Sequence, residues 1–555
     1  MRRADARRIT GLHPLLPGPG AGMELLFEPS QGDGEGDEDT VNGVILALQQ
    51  RVAALWPALG LGAGALHVRR HAHGLSVAVE APIDRLSAAV DALEAAHEPG
   101  LWTEAALREH IAEEARPALF ALWTATAHLP RFVDDEGFTL GFGDAARTWP
   151  LDELPAPEGL RAAPPIPTAY VTGTNGKTST TRMVAAIAEA AGLLAGHTCS
   201  DGVVVGREVR ARGDWTGPGA ARDLLRQPGL QLAVLETARG GLMRRGLVLD
   251  RATAAAVTNI SDDHLGEWGL DDTDALAWAK LTVAHATRVG GIVVLHGEDP
   301  ALRRAEPALV AARPDLTIWR FADGPPQPHL RAWATQGALY WLDEDDHPEV
   351  ILTEHELPAC IEGASRPMVE NALCAALLAR ALGLSAAAVR EGLRGFRLDP
   401  GRSRGRLNRF ALPSGATAVI DFAHNPAGVR GLQGLTDRRT GRLSLLLGQA
   451  GDRGDALIAA YAAAVAALRP DRVLLKELPH YRRGRAEGEV RALLRAALVA
   501  GGVPDDAIVD EPDELLAARR LLEEAGPGDL ALLLIHEEPD GAYDLMEDMG
   551  GRPIP

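Results

Sequence analysis

The chain reads as an α/β protein: two parallel-sheet domains behind a smaller α+β unit. Three observations predict this. A glycine-rich turn, Gly173-Thr-Asn-Gly-Lys-Thr178, stands between a strand-like run, Thr168-Ala-Tyr-Val-Thr172, and a helical run that follows from Thr181. Beyond it, short apolar and β-branched runs alternate with Ala- and Leu-rich helical stretches, the pattern of a parallel sheet covered on both faces. A proline-rich stretch between Leu154 and Pro167 separates this alternation from what precedes it. At 555 residues the chain is too long for one core. We read three units: an α+β unit over 1–160, a nucleotide-binding unit over 165–396 and a second α/β unit over 397–555.

The first unit carries no nameable chemistry. The run from Gln31 to Asp39 is acidic and glycine-rich, and reads as a solvated loop because the calcium-loop spacing is absent. Residues 41–59 show helical periodicity. Residues 66–73 and 75–79 alternate like the two arms of a hairpin. His67, His71 and His73 lie close together there; solvent-facing strand histidines are the favoured reading and a metal site the alternative. Residues 84–97 and 103–128 read as two helices. In the second unit, strands are expected over 232–235, 254–258, 291–295 and 316–319. In the third they are expected over 417–421, 443–447, 472–475 and 529–534, with a helix over 455–468.

Composition narrows the function. The formal net charge is −20, which leaves no basic excess for a nucleic-acid surface. No apolar run of 18 residues suggests a membrane span. No apolar signal core follows the basic start Met1-Arg-Arg-Ala-Asp-Ala-Arg-Arg8. Cys199, Cys360 and Cys374 are widely spaced and form neither a disulfide framework nor a zinc pattern. The expectation is a cytoplasmic protein with reduced thiols.

The glycine-rich turn is a phosphate site. Backbone N–H groups of Gly173, Thr174, Asn175 and Gly176 converge at a helix N-terminus, with Ser179 in its first turn. Lys177 reaches β- and γ-phosphates and the Thr178 hydroxyl is a Mg²⁺ ligand. Val171 stands where the common P-loop has its first glycine, so the spacing is unusual. Glu236 ends the run Leu232-Ala-Val-Leu235, where a carboxylate serves as a Mg²⁺ ligand or water orienter. Thr258-Asn-Ile-Ser-Asp-Asp-His264 follows the next strand, and a neutral His264 would complete a divalent site with Glu236.

Together these stretches resemble the Mur ligase family. The resemblance implies a central P-loop domain with a parallel sheet, a Rossmann-like C-terminal domain, and ATP with Mg²⁺ as cofactors. It implies carbamylation of Lys280, in Ala279-Lys-Leu281, whose carbamate would hold a second Mg²⁺ alongside the ligands Thr178, Glu236 and His264. It places Asn371 on the adenine, and Arg406 and Asp421 on a third-domain face closing over the nucleotide. Four stretches are more specific and resemble the Mur-like half of the cyanophycin synthetases. They are Asp201-Gly-Val-Val-Val-Gly206 with Gly213-Asp-Trp-Thr-Gly-Pro218, Glu236-Thr-Ala-Arg-Gly-Gly241, Asp421-Phe-Ala-His-Asn-Pro426, and Gly451-Asp-Arg-Gly-Asp455 with Gly484-Arg-Ala-Glu-Gly-Glu489.

That branch implies an isopeptide ligase, ADP-forming, which adds arginine to an aspartate side chain through an acyl phosphate. Its substrates would be an amino acid and a peptide-like carboxylate acceptor. Asp214, Thr216, Arg239, His424 and Asn425 are the substrate-side candidates; Lys177, Glu236, His264 and Lys280 are the catalytic ones. Arg482, Arg483 and Arg485 read equally as contacts to an acidic substrate or as solvated surface. Only about 160 residues precede the P-loop strand, so an ATP-grasp domain is not expected. A glutamate-adding ligase of the folylpolyglutamate type and a nucleotide-binding partner without turnover remain open, as does a homo-oligomer.

Overall fold

The computed structural model describes residues 1–27, 38–158, 160, 165–262, 265–401 and 403–554. Most of the acidic glycine-rich run and His264 lie outside the described residues. The chain opens with a four-stranded antiparallel sheet in the order Arg2–Ile9, Gly20–Leu26, Gly74–Glu80, Leu66–His71. The hairpin of the last two matches the alternation in the sequence. The first two strands escape a sequence reading because arginines and glycines dilute their β-propensity. Gly20 is needed for close approach: a Cβ there would sit 2.2 Å from the Val79 carbonyl oxygen.

The helices Glu38–Ala58 and Leu86–His97 cover this sheet and bury Val52, Trp56 and Leu93 against it. The three histidines go separate ways. His71 pairs with buried Glu24 at 2.7 Å, His73 faces Asp271 at 3.9 Å, and His67 is exposed. The helix expected over 103–128 is two, Glu104–Glu114 and Pro117–Ala125. Pro117 has no N–H to continue the first helix and instead opens the second.

The central sheet has eleven strands. Seven run parallel, in the order Ala195–Cys199, Leu232–Glu236, Thr168–Thr172, Ala252–Val257, Thr287–His296, Thr317–Asp323, Ala332–Thr335. Antiparallel strands extend both edges: Gly202–Val205 and Glu208–Arg212 on one side, Ala338–Leu342 and Pro348–Thr353 on the other. The C-terminal sheet has seven strands. Five are parallel, Ile508–Asp510, Arg472–Leu475, Leu443–Leu447, Leu530–Leu534 and Thr417–Asp421; Asn408–Ala411 and Arg552–Ile554 add an antiparallel edge.

The units are tied together. One apolar cluster runs from the helix Lys177–Ala190 through Phe396 and Leu407 into Val419, Leu445 and Leu532 of the C-terminal sheet. The N-terminal unit docks by polar contacts beside the short helix Arg239–Arg245. Arg7 donates to the Met243 carbonyl at 3.1 Å and stacks 4.6 Å from the Trp268 ring. Arg69 donates to the Gly269 carbonyl and lies over Trp278. Arg226 forks onto Asp134 at 2.6 and 2.8 Å.

Candidate active site

In a parallel sheet, ligands gather at the carboxyl ends of the strands. Here those ends deliver the Gly173–Thr178 loop, Glu236 and the Thr258-Asn259 turn from three adjacent strands. The loop is gripped by its neighbours. Thr174 N donates to Asn259 O at 2.8 Å, Asn175 N to Asn259 Oδ1 at 2.9 Å, and Thr258 Oγ1 to Asn175 O at 2.6 Å. Gly173 and Gly176 have φ of +145° and +83°, conformations that favour glycine. A Cβ at Gly173 would lie 1.8 Å from Thr258 Oγ1, and one at Gly176 2.1 Å from Asn371 Oδ1. These clashes explain why the glycines stand where they do. They also place buried Asn371, on the helix Arg366–Ala381, against the loop.

Gly176 caps the helix Lys177–Ala190, so the Lys177 and Thr178 side chains emerge at its first turn. Lys177 Nζ donates to Thr174 O at 2.9 Å. Thr178 Oγ1 donates to Glu236 Oε2 at 2.9 Å and lies 3.1 Å from Ser200 Oγ. Glu236 is 3% exposed. Burial pushes its carboxyl up from the usual range, and Lys177, the Thr178 hydroxyl and Arg406 oppose that shift. A desolvated carboxylate beside a hydroxyl is a hard oxygen donor pair of the kind Mg²⁺ takes. Lys280, 4% exposed at the end of the helix Thr273–Lys280, points its amine at the Gly173 carbonyl at 2.6 Å. His264 cannot be placed against them, since it is outside the described residues.

The C-terminal domain completes the site. Asn175 and Asn425 form a reciprocal amide pair across the domains, at 3.3 and 3.0 Å, while Asn425 Oδ1 also caps the next helix at Gly428 N. Arg406 reaches Ser200 Oγ at 3.4 Å and stacks 5.2 Å from Phe422. Asp421 ends the strand Thr417–Asp421, and its two oxygens accept from Leu407 N and Ala423 N, both at 2.8 Å. Burial raises its carboxyl; Arg406 and these two amides pull it back. Between the domains lies a cavity of about 620 Å³ whose lining includes Arg182, Ser200, Asp201, Arg406, Phe422 and Tyr543. Ser200 and Arg406 join this cavity to the phosphate end of the loop.

The substrate-side candidates do not all converge. Thr216 is buried and donates to Asp214 Oδ1 at 2.7 Å, a local turn ahead of the helix Pro218–Leu225. Arg239 pairs with Glu267 beside the N-terminal unit. His424 lies next to Asn425, its Nδ1 3.0 Å from Phe422 O. Arg485 already has partners within the chain. It staples two loops by donating to Gly451 O, Arg453 O, Asp455 and Glu489 at 2.7 to 2.9 Å.

Sequence reasoning missed Ser200, Asn259 and His536. Asn259 sits inside a quoted motif and Ser200 just before another, neither with a signal of its own. His536 comes to the cavity from the far end of the chain. Its ring nitrogens are buried beside the Ala423 backbone. Burial, then nearby Lys476, holds the imidazole neutral.

The family described as Mur ligase middle domain matches residues 171–379, and the Mur ligase, glutamate ligase domain matches residues 405–534. The chain belongs to the Mur ligase family. This Mur ligase is 32% identical to a cyanophycin synthetase of Synechocystis sp. over 65% of its own length. The match spans 42% of that relative, so well under half of the synthetase is represented. A UDP-N-acetylmuramate–L-alanine ligase of Paracoccus denitrificans is 30% identical over 46% of this chain and 49% of that enzyme. Among solved structures, the E. coli FolC complex with ADP overlays with a TM-score of 0.52 at 20% identity, covering 69% of this chain and 89% of that one. At that identity the likeness shows the Mur ligase/FolC-like fold. No helix among the described residues is long and apolar enough to cross a membrane.

Proposed function

We propose that this Mur ligase is an ATP-dependent, ADP-forming amide ligase that joins an amino acid, with arginine the first candidate, to a carboxylate of a peptide-like acceptor. The observation that carries the reading is the buried Thr178–Glu236 donor pair at the head of the glycine-rich loop, roofed by Arg406 and Asn425 of the C-terminal domain. Mg²⁺ bound by Thr178 and Glu236 would supply charge neutralisation for the phosphates.

The chemistry balances as two transfers. An acceptor carboxylate oxygen attacks the γ-phosphorus, ADP leaves, and an acyl phosphate forms. The amine nitrogen then attacks the acyl carbon, the C–O bond to phosphate breaks, and the nitrogen loses a proton as inorganic phosphate departs. Lys177 and the loop amides stabilise charge on the transferring group. The interdomain cavity, shared by both halves, orients the amine and excludes water. Lys280 as a carbamate and His264 as a metal ligand belong to the same reading.

The test is turnover. Purified protein with Mg-ATP, an aspartate-containing peptide and a panel of amines should release phosphate only when acid and amine are both present, and Lys177→Ala should abolish it. ATP binding without turnover across the panel would assign the chain to the non-catalytic partner instead. Loss of activity in Lys280→Ala that short carboxylic acids restore would support the carbamate. Full activity in Lys280→Ala would remove it.

A further inference from the structure

A second cavity, also about 620 Å³, lies between the same two domains but on the opposite side of their linker. Successive linker residues face the two spaces: Phe396 lines the active-site cavity and Arg397 lines this one. Strand ends say the same. Ile420 and Ile535 border the active-site cavity, while Thr417 and Leu530, at the amino ends of the same strands, border the second. Crossing such a strand covers roughly 10–13 Å, so the two sites do not touch.

The second cavity is cationic in a chain of net charge −20. Arg397, Arg409, Arg438 and Arg439 line it together with His355. Arg397 donates to the Arg394 and Phe396 carbonyls, Arg438 to Ile361 and Glu362, and Arg439 to Thr436 and Arg469. Those three guanidiniums contact backbone carbonyls and no carboxylate among the described residues. The lining has two carboxylates. Asp529 is held by Arg442 and by the amides of Arg442 and Gly526. Glu362 faces His355 at 4.0 Å. The rim is built rather than incidental: Ile361 and Glu362 both have positive φ, +52° and +54°, and Arg438 from the other domain holds both of their carbonyls.

We propose that this pocket binds a small phosphate-bearing polyanion, of pyrophosphate size, and that its occupancy biases the angle between the two domains. Guanidinium forks without a carboxylate are matched to phosphate oxygens. Here one comes from the linker and two from the C-terminal domain, while His355 and the strained rim belong to the central one. A bound anion would therefore bridge the linker and both domains, which is how its occupancy would bias the angle between them. The site is distinct from the loop at Gly173 and stands whether or not the ligase reading does.

Inorganic pyrophosphate is the probe, titrated calorimetrically into the full chain at fixed ionic strength without Mg²⁺. A Lys177→Ala background removes binding at the glycine-rich loop. One equivalent should still bind, and Arg397→Gln with Arg439→Gln should weaken it at least tenfold while the melting temperature holds. Glu362→Gln, which removes a facing carboxylate, should tighten binding several-fold. Hydrogen exchange should show the linker 396–407 protected on binding. Loss of all binding in Lys177→Ala, equal binding by the double arginine variant, or citrate binding more tightly than pyrophosphate would each overturn the proposal.

Discussion

The Asn175–Asn425 pair makes the coupling between the glycine-rich loop and the C-terminal domain measurable. Each side chain donates one hydrogen bond to the other, at 3.3 and 3.0 Å, and Asn425 Oδ1 also accepts from Gly428 N at 2.8 Å. Asn425→Ala removes both interdomain bonds, each worth about 0.5–1.5 kcal/mol net, and a helix cap worth about 1 kcal/mol. The interdomain share, about 1–3 kcal/mol, corresponds to roughly a 5- to 150-fold shift of the closed form. Asn425→Asp keeps the cap and one acceptor but sets a carboxylate against Asn175 Oδ1. It should therefore open the domains while leaving the local helix intact.

A double-mutant cycle with Asn175→Ala isolates the pair, because the cap term cancels. The readouts are kcat/KM for ATP and an interdomain distance by fluorescence transfer. A coupling of about 1 kcal/mol or more is expected. Additivity within about 0.5 kcal/mol would refute the claim that this pair joins the domains.

Other outcomes follow from the same geometry. Glu236→Gln should keep or raise the melting temperature without ligand, since it removes a desolvated carboxyl, yet erase the extra stabilisation that Mg-ATP gives the parent. Gly176→Ala should cost at least about 1–2 kcal/mol in urea unfolding from its positive φ alone, with weakened ATP binding because the new methyl meets Asn371. Lys476→Ala strands buried Glu514, which also anchors the amides of His536, Glu537 and Glu538. A loss of about 3–5 kcal/mol is expected, while Lys476→Met with Glu514→Leu should recover much of it. Buried His13 titrates at about 4, against 6.5 when unfolded, chiefly through desolvation. Its contribution is complete above pH 6.5 and fades as the pH falls towards 4, by about 3 kcal/mol in all. His13→Gln should flatten urea stability between pH 7 and pH 4 relative to the parent.

Much of the central and C-terminal fold was legible because parallel strands buried on both faces leave continuous apolar runs. Leu232-Ala-Val-Leu235 and Leu443-Ser-Leu-Leu-Leu447 carry their own signal. Edge strands do not. Glu208–Arg212, Arg552–Ile554 and Arg2–Ile9 are polar or charged, largely solvated, and set by their partners rather than by pattern. The loop and its donors were legible for a related reason: a turn, a lysine and a strand-end carboxylate have fixed local geometry. Ser200, the Asn175–Asn425 pairing and His536 were not, since each depends on chain segments up to several hundred residues apart meeting in space. Arg485 shows the converse: an arginine in a stretch quoted for its resemblance, whose hydrogen-bond partners among the described residues lie in its own domain.

Asp421 sharpens what the C-terminal domain does. The family resemblance puts it on the nucleotide, yet both of its oxygens already accept backbone amides of its own domain, from Leu407 and from Ala423. Leu407 has φ of +50°, a conformation an L-residue holds only when something fixes it, and Asp421 is the group that does so. The fixed turn presents Arg406 to Ser200, and the other amide starts the segment that carries His424 and Asn425 to the loop. A desolvated carboxylate between two backbone amides thus sets the aim of Arg406 and Asn425, which cross the domain boundary beside the loop. On this account Asp421→Asn, which keeps one acceptor and adds a donor facing a second N–H, should slow turnover through misplacement of Arg406 and Asn425. Its effect should shrink when either partner is already removed, whereas a direct nucleotide ligand would show additive losses.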